Sequence, residues 1–289
     1  MKYHPITPLG QNEAVKTLGL KTTPIGNMSN QHQEILDTCE EWINKVRNGY
    51  LPRQSVWTDF WCQLWCSIRW DMGTFQFTEF ELKEILQPTL YKLLPFIWVN
   101  RHITKEWQTL PVECLGLGVP DLPVEQPIQQ LNTMMQNFSE KTPLGTYLQA
   151  TYEQLVLEIG IEPNILQEPF SKFGFLATKS WIKSAWKGAD AHGARFTIQD
   201  YRELLLRQIN NKYLVQLFTD IGYNSNSLVI LNRVRLFLQV YCLSDIIMPG
   251  GTHVSKRYIQ ATGPNRDEKS TYDKWPIEHP TRQNKMLWR

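Results

Sequence analysis

The sequence predicts a mainly α-helical protein, a helical bundle followed by a helical extension, with a short β-hairpin near the N-terminus and room for a small one near the C-terminus. Two observations carry this. Apolar residues recur three and four apart in several separate stretches, and most of those stretches are bounded by capping or stopping residues. Strand-and-turn signals are read only towards the two ends. Composition agrees: 289 residues with 42% hydrophobic, 12% aromatic and 20% charged side chains, including 11 Trp, make a globular rather than a disordered chain, able to bury a sizeable core as one large domain or two.

Ala14 to Leu20, then Thr22, Thr23, Pro24, Ile25, Gly26 and Asn27, read as the hairpin, because β-tolerant residues flank Pro and Gly-Asn turn signals. Asn30 and Gln33 form a capping pair for the first helix, whose stripe is Ile35, Cys39, Trp42, Ile43 and Val46 before Gly49 stops it. A second helix from Ser55 carries a heavy face of Val56, Phe60, Trp61, Leu64, Trp65 and Ile68. Thr78 and Glu81 box the start of a third, with Leu82, Ile85, Leu86, Leu90, Leu93 and Leu94, a kink at Pro88 and an end at Pro95. These three make a small bundle.

Arg101 to Glu125 is rich in Gly and Pro and reads as a subdomain boundary or a tightly turned hinge. Helices resume over about 125–138 and over 143–159, the latter with Thr142 as cap, Pro143 in the first helical position and Gly160 as stop. Trp181 to Trp186 lies in a basic segment, Thr197 opens a helix containing Leu204, Leu205 and Leu206, and Ser227 opens one running through Tyr241. Beyond Asp245, Pro249-Gly250-Gly251 and Gly263-Pro264-Asn265 break the chain into a hairpin and a polar tail.

The five cysteines are odd in number, and four lie in apolar or buried-looking segments, so they read as reduced, packed thiols in an intracellular protein, cytoplasmic or nuclear. Met1 to Gly10 lacks the order of a signal peptide and no stretch is long and apolar enough to span a membrane, so no membrane partner is expected. Cys62 and Cys66 share a helix face but lack a second ligand pair, and the six His are scattered; no metal or other cofactor is expected. A nucleophile elbow and a phosphate-cradling Gly-Lys loop are both missing. Two-metal phosphoryl transfer is commonly served in part by adjacent aspartates, and the ten Asp residues here include no such pair, which predicts that no polymerase or nuclease centre lies in this chain and that it is not an enzyme of that kind.

The net charge of +2 is unevenly spread: residues 1–105 carry +1, 106–170 carry −8 and 171–289 carry +9. A basic last third suits phosphate, or is merely an unevenly charged surface. Candidate nucleic-acid contacts are Arg101, His102 and Lys105, which follow the third helix, and Lys179, Lys183 and Lys187, which are spaced to form one basic helical stripe interleaved with Trp181 and Trp186. Arg233 joins them; Arg235, two residues on, lies on a different helix face, so at most one of the two shares a contact surface with its neighbours, and one could equally pair with an acidic group of 106–170. The stripe of Trp57, Trp61 and Trp65 is core or an interface.

Several ordered blocks resemble the C-terminal, post-palm region of non-LTR retrotransposon reverse transcriptases. They are Lys16-Thr17-Leu18-Gly19-Leu20 with Pro24-Ile25-Gly26-Asn27; Leu94-Pro95 with Asn100-Arg101-His102; Leu115-Gly116-Leu117-Gly118-Val119-Pro120-Asp121-Leu122 with Glu125-Gln126; Asn232-Arg233-Val234-Arg235 leading to Leu243-Ser244-Asp245-Ile246; and Tyr272-Asp273-Lys274-Trp275-Pro276 with His279-Pro280. The resemblance implies a hairpin remnant over 1–27, a thumb-like bundle over 28–105, a helical extension over 106–247 and an irregular tail over 248–289. It also implies partners: RNA, DNA or an RNA–DNA hybrid, bound weakly and non-specifically, and a palm and fingers portion that would lie upstream of Met1. The expected function is therefore a catalytically incomplete reverse-transcriptase-derived element that holds nucleic acid. The other reading is a helical protein–protein interaction module with no nucleic-acid role, supported by the aromatic stripe and the acidic middle segment.

Overall fold

Regular structure is almost entirely helical in the computed structural model, which describes residues 10–17, 20–23, 26–162, 164–198, 211–263 and 279–289. The chain divides into two compact units, Met1–Met135 and Gln136–Arg289. Among the described residues, no helix is long and apolar enough to cross a membrane.

The first unit opens with an antiparallel hairpin, β1 (Val15–Thr17) and β2 (Leu20–Thr22), in which Val15 faces Thr22. Helix α1 (Ser29–Asn48) buries the expected face of Ile35, Cys39, Trp42, Ile43 and Val46. It starts earlier than Asn30: Thr23 and Asn27 close a turn, and Asn27 Oδ1 accepts the Ser29 N–H at 3.0 Å, so the chain is already helical at the expected cap. Gln33 instead donates to Asp37.

The second helix is three segments in succession, α2 (Arg53–Asp59), a π-helical turn (Phe60–Trp65) and α3 (Cys66–Met72). Phe60, Leu64 and Trp65 of the π-helical turn enter the core with Val56 and Ile68. Trp57 stacks on Phe60 at 5.2 Å, Trp61 stands edge-on to Trp57 and Trp65, and the tryptophan stripe is thereby used inside the unit. The expectation of packed thiols fails on this helix. Cys62 and Cys66 lie on its solvent side, Cys114 is also exposed, and only Cys39 and Cys242 of the five free cysteines are buried.

Helix α4 (Glu79–Leu93) has the expected capping box of Thr78 and Glu81 and continues through Pro88 into a 3-10 turn, Leu94–Ile97. The Gly- and Pro-rich stretch then folds back on this bundle through α5 (Lys105–Thr109) and a 3-10 turn (Val112–Cys114). Val119 and Leu122 join the core. Gly116 is required there, because a Cβ would fall 2.0 Å from the Leu110 carbonyl oxygen. Helix α6 (Leu122–Asn137) secures the strap: the Gln126 amide bonds both the N–H and the C=O of Phe77, and Gln130 donates to Phe75 O. The division into units thus falls near the end of α6, beyond the Gly- and Pro-rich stretch.

In the second unit, α7 (Pro143–Ile159) has the ends the sequence predicts, with Thr142 Oγ1 accepting the Gly145 N–H and Gly160 left-handed at φ 70°. Short helix α8 (Phe170–Phe173) and a 3-10 turn (Gly174–Leu176) precede α9 (Trp181–Ala191), capped by Ser180. Helix α10 (Leu214–Ile221) leads to α11 (Ser225–Leu238). The expected start at Ser227 is displaced because Asn224 caps by accepting the Ser227 N–H, and the helix stops short of Tyr241 because Gln239 turns left-handed. The glycine pair makes a tight turn closed by a single antiparallel bridge between Ile247 and Val254, between α12 (Leu243–Ile246) and α13 (Lys256–Ile259). Helix α14 (Arg282–Trp288) closes the cluster, with the Trp288 indole donating to Tyr258 O. The helix expected from Thr197 through Leu206 and the Tyr272 to Pro276 block lie largely or wholly outside the described residues.

Candidate nucleic-acid interface

Burial fixes which side chains face outward at one end of the first unit. Trp42, Ile43 and Val46 turn the core side of the last turns of α1 inward, leaving Asn44 and Arg47 at the surface. Leu90, Leu93 and Leu94 do the same for α4, leaving Tyr91 and Lys92. These side chains, with Ile43, Pro95, Phe96 and Arg101, line an open groove of about 410 Å³. Arg101 is set by a turn in which Asn100 Oδ1 accepts the His102 N–H at 2.9 Å, and its guanidinium lies 5.3 Å from the centre of the Tyr91 ring. His102 meets the same ring edge-on at 5.7 Å.

Among the described residues, three cations, Arg47, Lys92 and Arg101, line this groove, and no carboxylate does. Among the described residues none of the three forms an ion pair, whereas Lys16, Lys21, Lys45, Lys83 and Lys105 are each bridged to Asp or Glu. Unpaired guanidinium and ammonium groups beside exposed aromatic faces suit a phosphate backbone.

The structure gathers Arg101 and His102 around Tyr91 and does not gather the other expected contacts. Lys105 is exposed at the start of α5 but bridged to Asp121 at 2.8 Å. The stripe of Lys179, Lys183 and Lys187 does not form, because Ser180 is the cap of α9 and Lys179 precedes the helix. Lys183 folds back to donate to Ala177 O, and burial lowers its pKa against the opposing pull of Glu158. Lys187 is exposed. Trp186 is 1% exposed, donates to Glu168 O and packs on Phe170, so it offers no free ring; Trp181 is half-buried.

Arg233 is exposed on α11, and Arg235 is fully buried. Among the described residues the Arg235 guanidinium has no carboxylate partner: it donates to the carbonyls of Leu157, Glu158 and Val240 and to Asn232 Oδ1, and stacks on Tyr241. It caps the C-terminus of α7 with a positive charge. Sequence reading missed Arg47 and Lys92, although each is a cation in the last turn of a helix whose apolar stripe assigns it to the solvent side.

A second cleft of about 320 Å³ lies between the hairpin, α1 and α3 and contains Asp71, Gln31, Glu34 and Lys16. Gln31 donates to Asp71 Oδ2 at 2.9 Å and accepts the Lys21 N–H, so one amide ties the hairpin to α3. Burial pushes the Asp71 carboxyl up to about 6, against the Gln31 hydrogen bond, while Lys16 and Lys21 hold Glu34 below its ordinary value. A raised folded-state pKa contributes stability at low pH that is lost as pH rises through about 6; the Glu34 contribution is lost as pH falls below 4.5. Between about pH 4.5 and 6 Asp71 therefore lowers stability as pH rises. Asp71→Asn flattens this part of a Tm-against-pH curve and raises Tm at pH 7; an unchanged curve contradicts the assignment.

Among the described residues no three His, Cys, Asp or Glu side chains converge on a common point. No protein-family model, curated protein or solved structure matches the chain.

Proposed function

We propose that this chain binds the sugar–phosphate backbone of RNA, DNA or an RNA–DNA hybrid, without sequence preference, through the groove of Arg47, Lys92 and Arg101. The observation that carries this reading is three cations in one groove that, among the described residues, have no ion-pair partner and no carboxylate beside them. The ordered blocks that resemble the post-palm region of non-LTR reverse transcriptases support it, since the groove lies in the segment that resemblance assigns to a thumb. On the same reading the chain grips nucleic acid and does not itself polymerise. The rival interaction-module reading drew on the Trp57, Trp61 and Trp65 stripe, which is occupied within the unit.

Anisotropy of a labelled hybrid over a salt series is the test. Three phosphate contacts give log K falling with log salt at a slope of about −2 to −3, and Arg101→Ala reduces the slope by about 1. Absence of binding at low salt by a folded sample contradicts the proposal and favours the interaction module.

A further inference from the structure

Two exposed aromatic residues near this groove have backbone conformations that bulky residues avoid. Trp98 is 82% exposed with φ 65°, and Tyr50 is 95% exposed with φ 49°. Left-handed positions at helix ends ordinarily take Gly or Asn. At the end of α1 a glycine is available, yet Gly49 has φ −87° and the left-handed turn falls on Tyr50. Trp98 closes the 3-10 turn by donating its N–H to Pro95 O, so the strained residue directly follows the segment whose Pro95 and Phe96 line the groove. Neither ring is buried by the fold that strains its backbone. Strain of this kind concentrates at binding sites.

The chemistry around Trp98 narrows the ligand. Arg53, three residues after Tyr50, sets its guanidinium 5.1 Å from the centre of the indole, a cation against a largely open aromatic ring. Aromatic faces flanked by guanidinium groups, beside cations that hold phosphates, are the elements with which proteins take up unstacked bases. We infer that Trp98 and Tyr50 are stacking platforms for unpaired nucleobases, so that the preferred ligand of the groove is single-stranded RNA or DNA, or the single-stranded end of a hybrid. A base inside a duplex has both faces covered and cannot use them. This inference rests on the phosphate-binding reading of Arg47, Lys92 and Arg101.

The test compares a labelled single strand of about 12 nucleotides, within the span such sites cover, with a duplex of the same length. The full chain is used as wild type, Trp98→Ala, Trp98→Gly, Trp98→Tyr and Tyr50→Ala. Expected results are tighter binding of the single strand by wild type, a loss of about tenfold or more of single-strand affinity in Trp98→Ala, a smaller loss in Tyr50→Ala, and duplex affinity within about twofold of wild type. Trp98→Tyr keeps most of the single-strand affinity. Trp98→Gly is free of backbone strain, so it melts no lower than wild type and still loses single-strand binding. If wild type binds both ligands with a negative salt slope while the Trp98 and Tyr50 variants bind as wild type, or lose both ligands equally, the stacking inference is overturned and the groove reading stands. If wild type binds neither, both fail.

Discussion

Arg235→Met lowers the stability of the Gln136–Arg289 unit by about 2–4 kcal/mol, the cost of leaving buried acceptors unpaired. Two effects compete at this site. Burial lowers the pKa of Arg235, which shows that the charge is disfavoured there, and an apolar replacement removes that penalty. Against this, the guanidinium satisfies Leu157 O at 2.7 Å, Val240 O and Asn232 Oδ1, none of which Met can reach as a donor, and it offsets the negative end of α7. Glu158 O keeps a second donor in Asn232 Nδ2 at 2.8 Å, so its share of the loss is smaller. The guanidinium also packs closely on Gly160, where a Cβ would sit 2.4 Å from Arg235 Cζ. The unpaired acceptors outweigh the relief of charge. Hydrogen exchange at the amides of α7 and α11 measures the effect within this unit, and protection within about 0.5 kcal/mol of wild type contradicts the role assigned to Arg235.

The combined variant Arg47→Glu, Lys92→Glu, Arg101→Glu reduces affinity for a hybrid at least about 100-fold, since each reversal replaces a contact worth about 1 kcal/mol near water with a repulsion of similar size. All three side chains are exposed and, among the described residues, none is in an ion pair, so the variant keeps the wild-type Tm to within a few degrees. Arg101 gives up its contact with Tyr91, a surface cation–aromatic pair of about 0.5–1 kcal/mol, which sets the scale of any shift. A variant that binds as wild type places the phosphate contacts elsewhere.

Much of the fold was legible because its signals are local. Thr142, Pro143 and Gly160 mark both ends of α7, and Thr78 with Glu81 marks the start of α4. The buried face of α1 consists of the residues that recur at helical spacing, with Gln31 added. The candidate site was legible only in Arg101 and His102. Arg47 and Lys92 reach the groove because α1 and α4 pack side by side, and that pairing is long-range information. The π-helical turn was hidden because Val56, Phe60, Leu64 and Ile68 fit an α-helical stripe equally well. Lysines four apart suggested a stripe, but Ser180 outcompetes them for the helix start. Counting charge over the last third mixed the fully buried Arg235 with exposed cations, and a segment total of +1 over residues 1–105 hides a local grouping of cations such as the groove.

Hybrid binding across a salt series, measured side by side on wild type, the triple groove variant and Lys179→Glu with Lys187→Glu, decides which unit holds the nucleic acid. The groove variant is expected to lose binding and salt dependence together, while the lysine pair keeps the wild-type slope. The opposite pattern, with binding lost on reversing Lys179 and Lys187 and kept on reversing Arg47, Lys92 and Arg101, would contradict the assignment of the interface to the first unit.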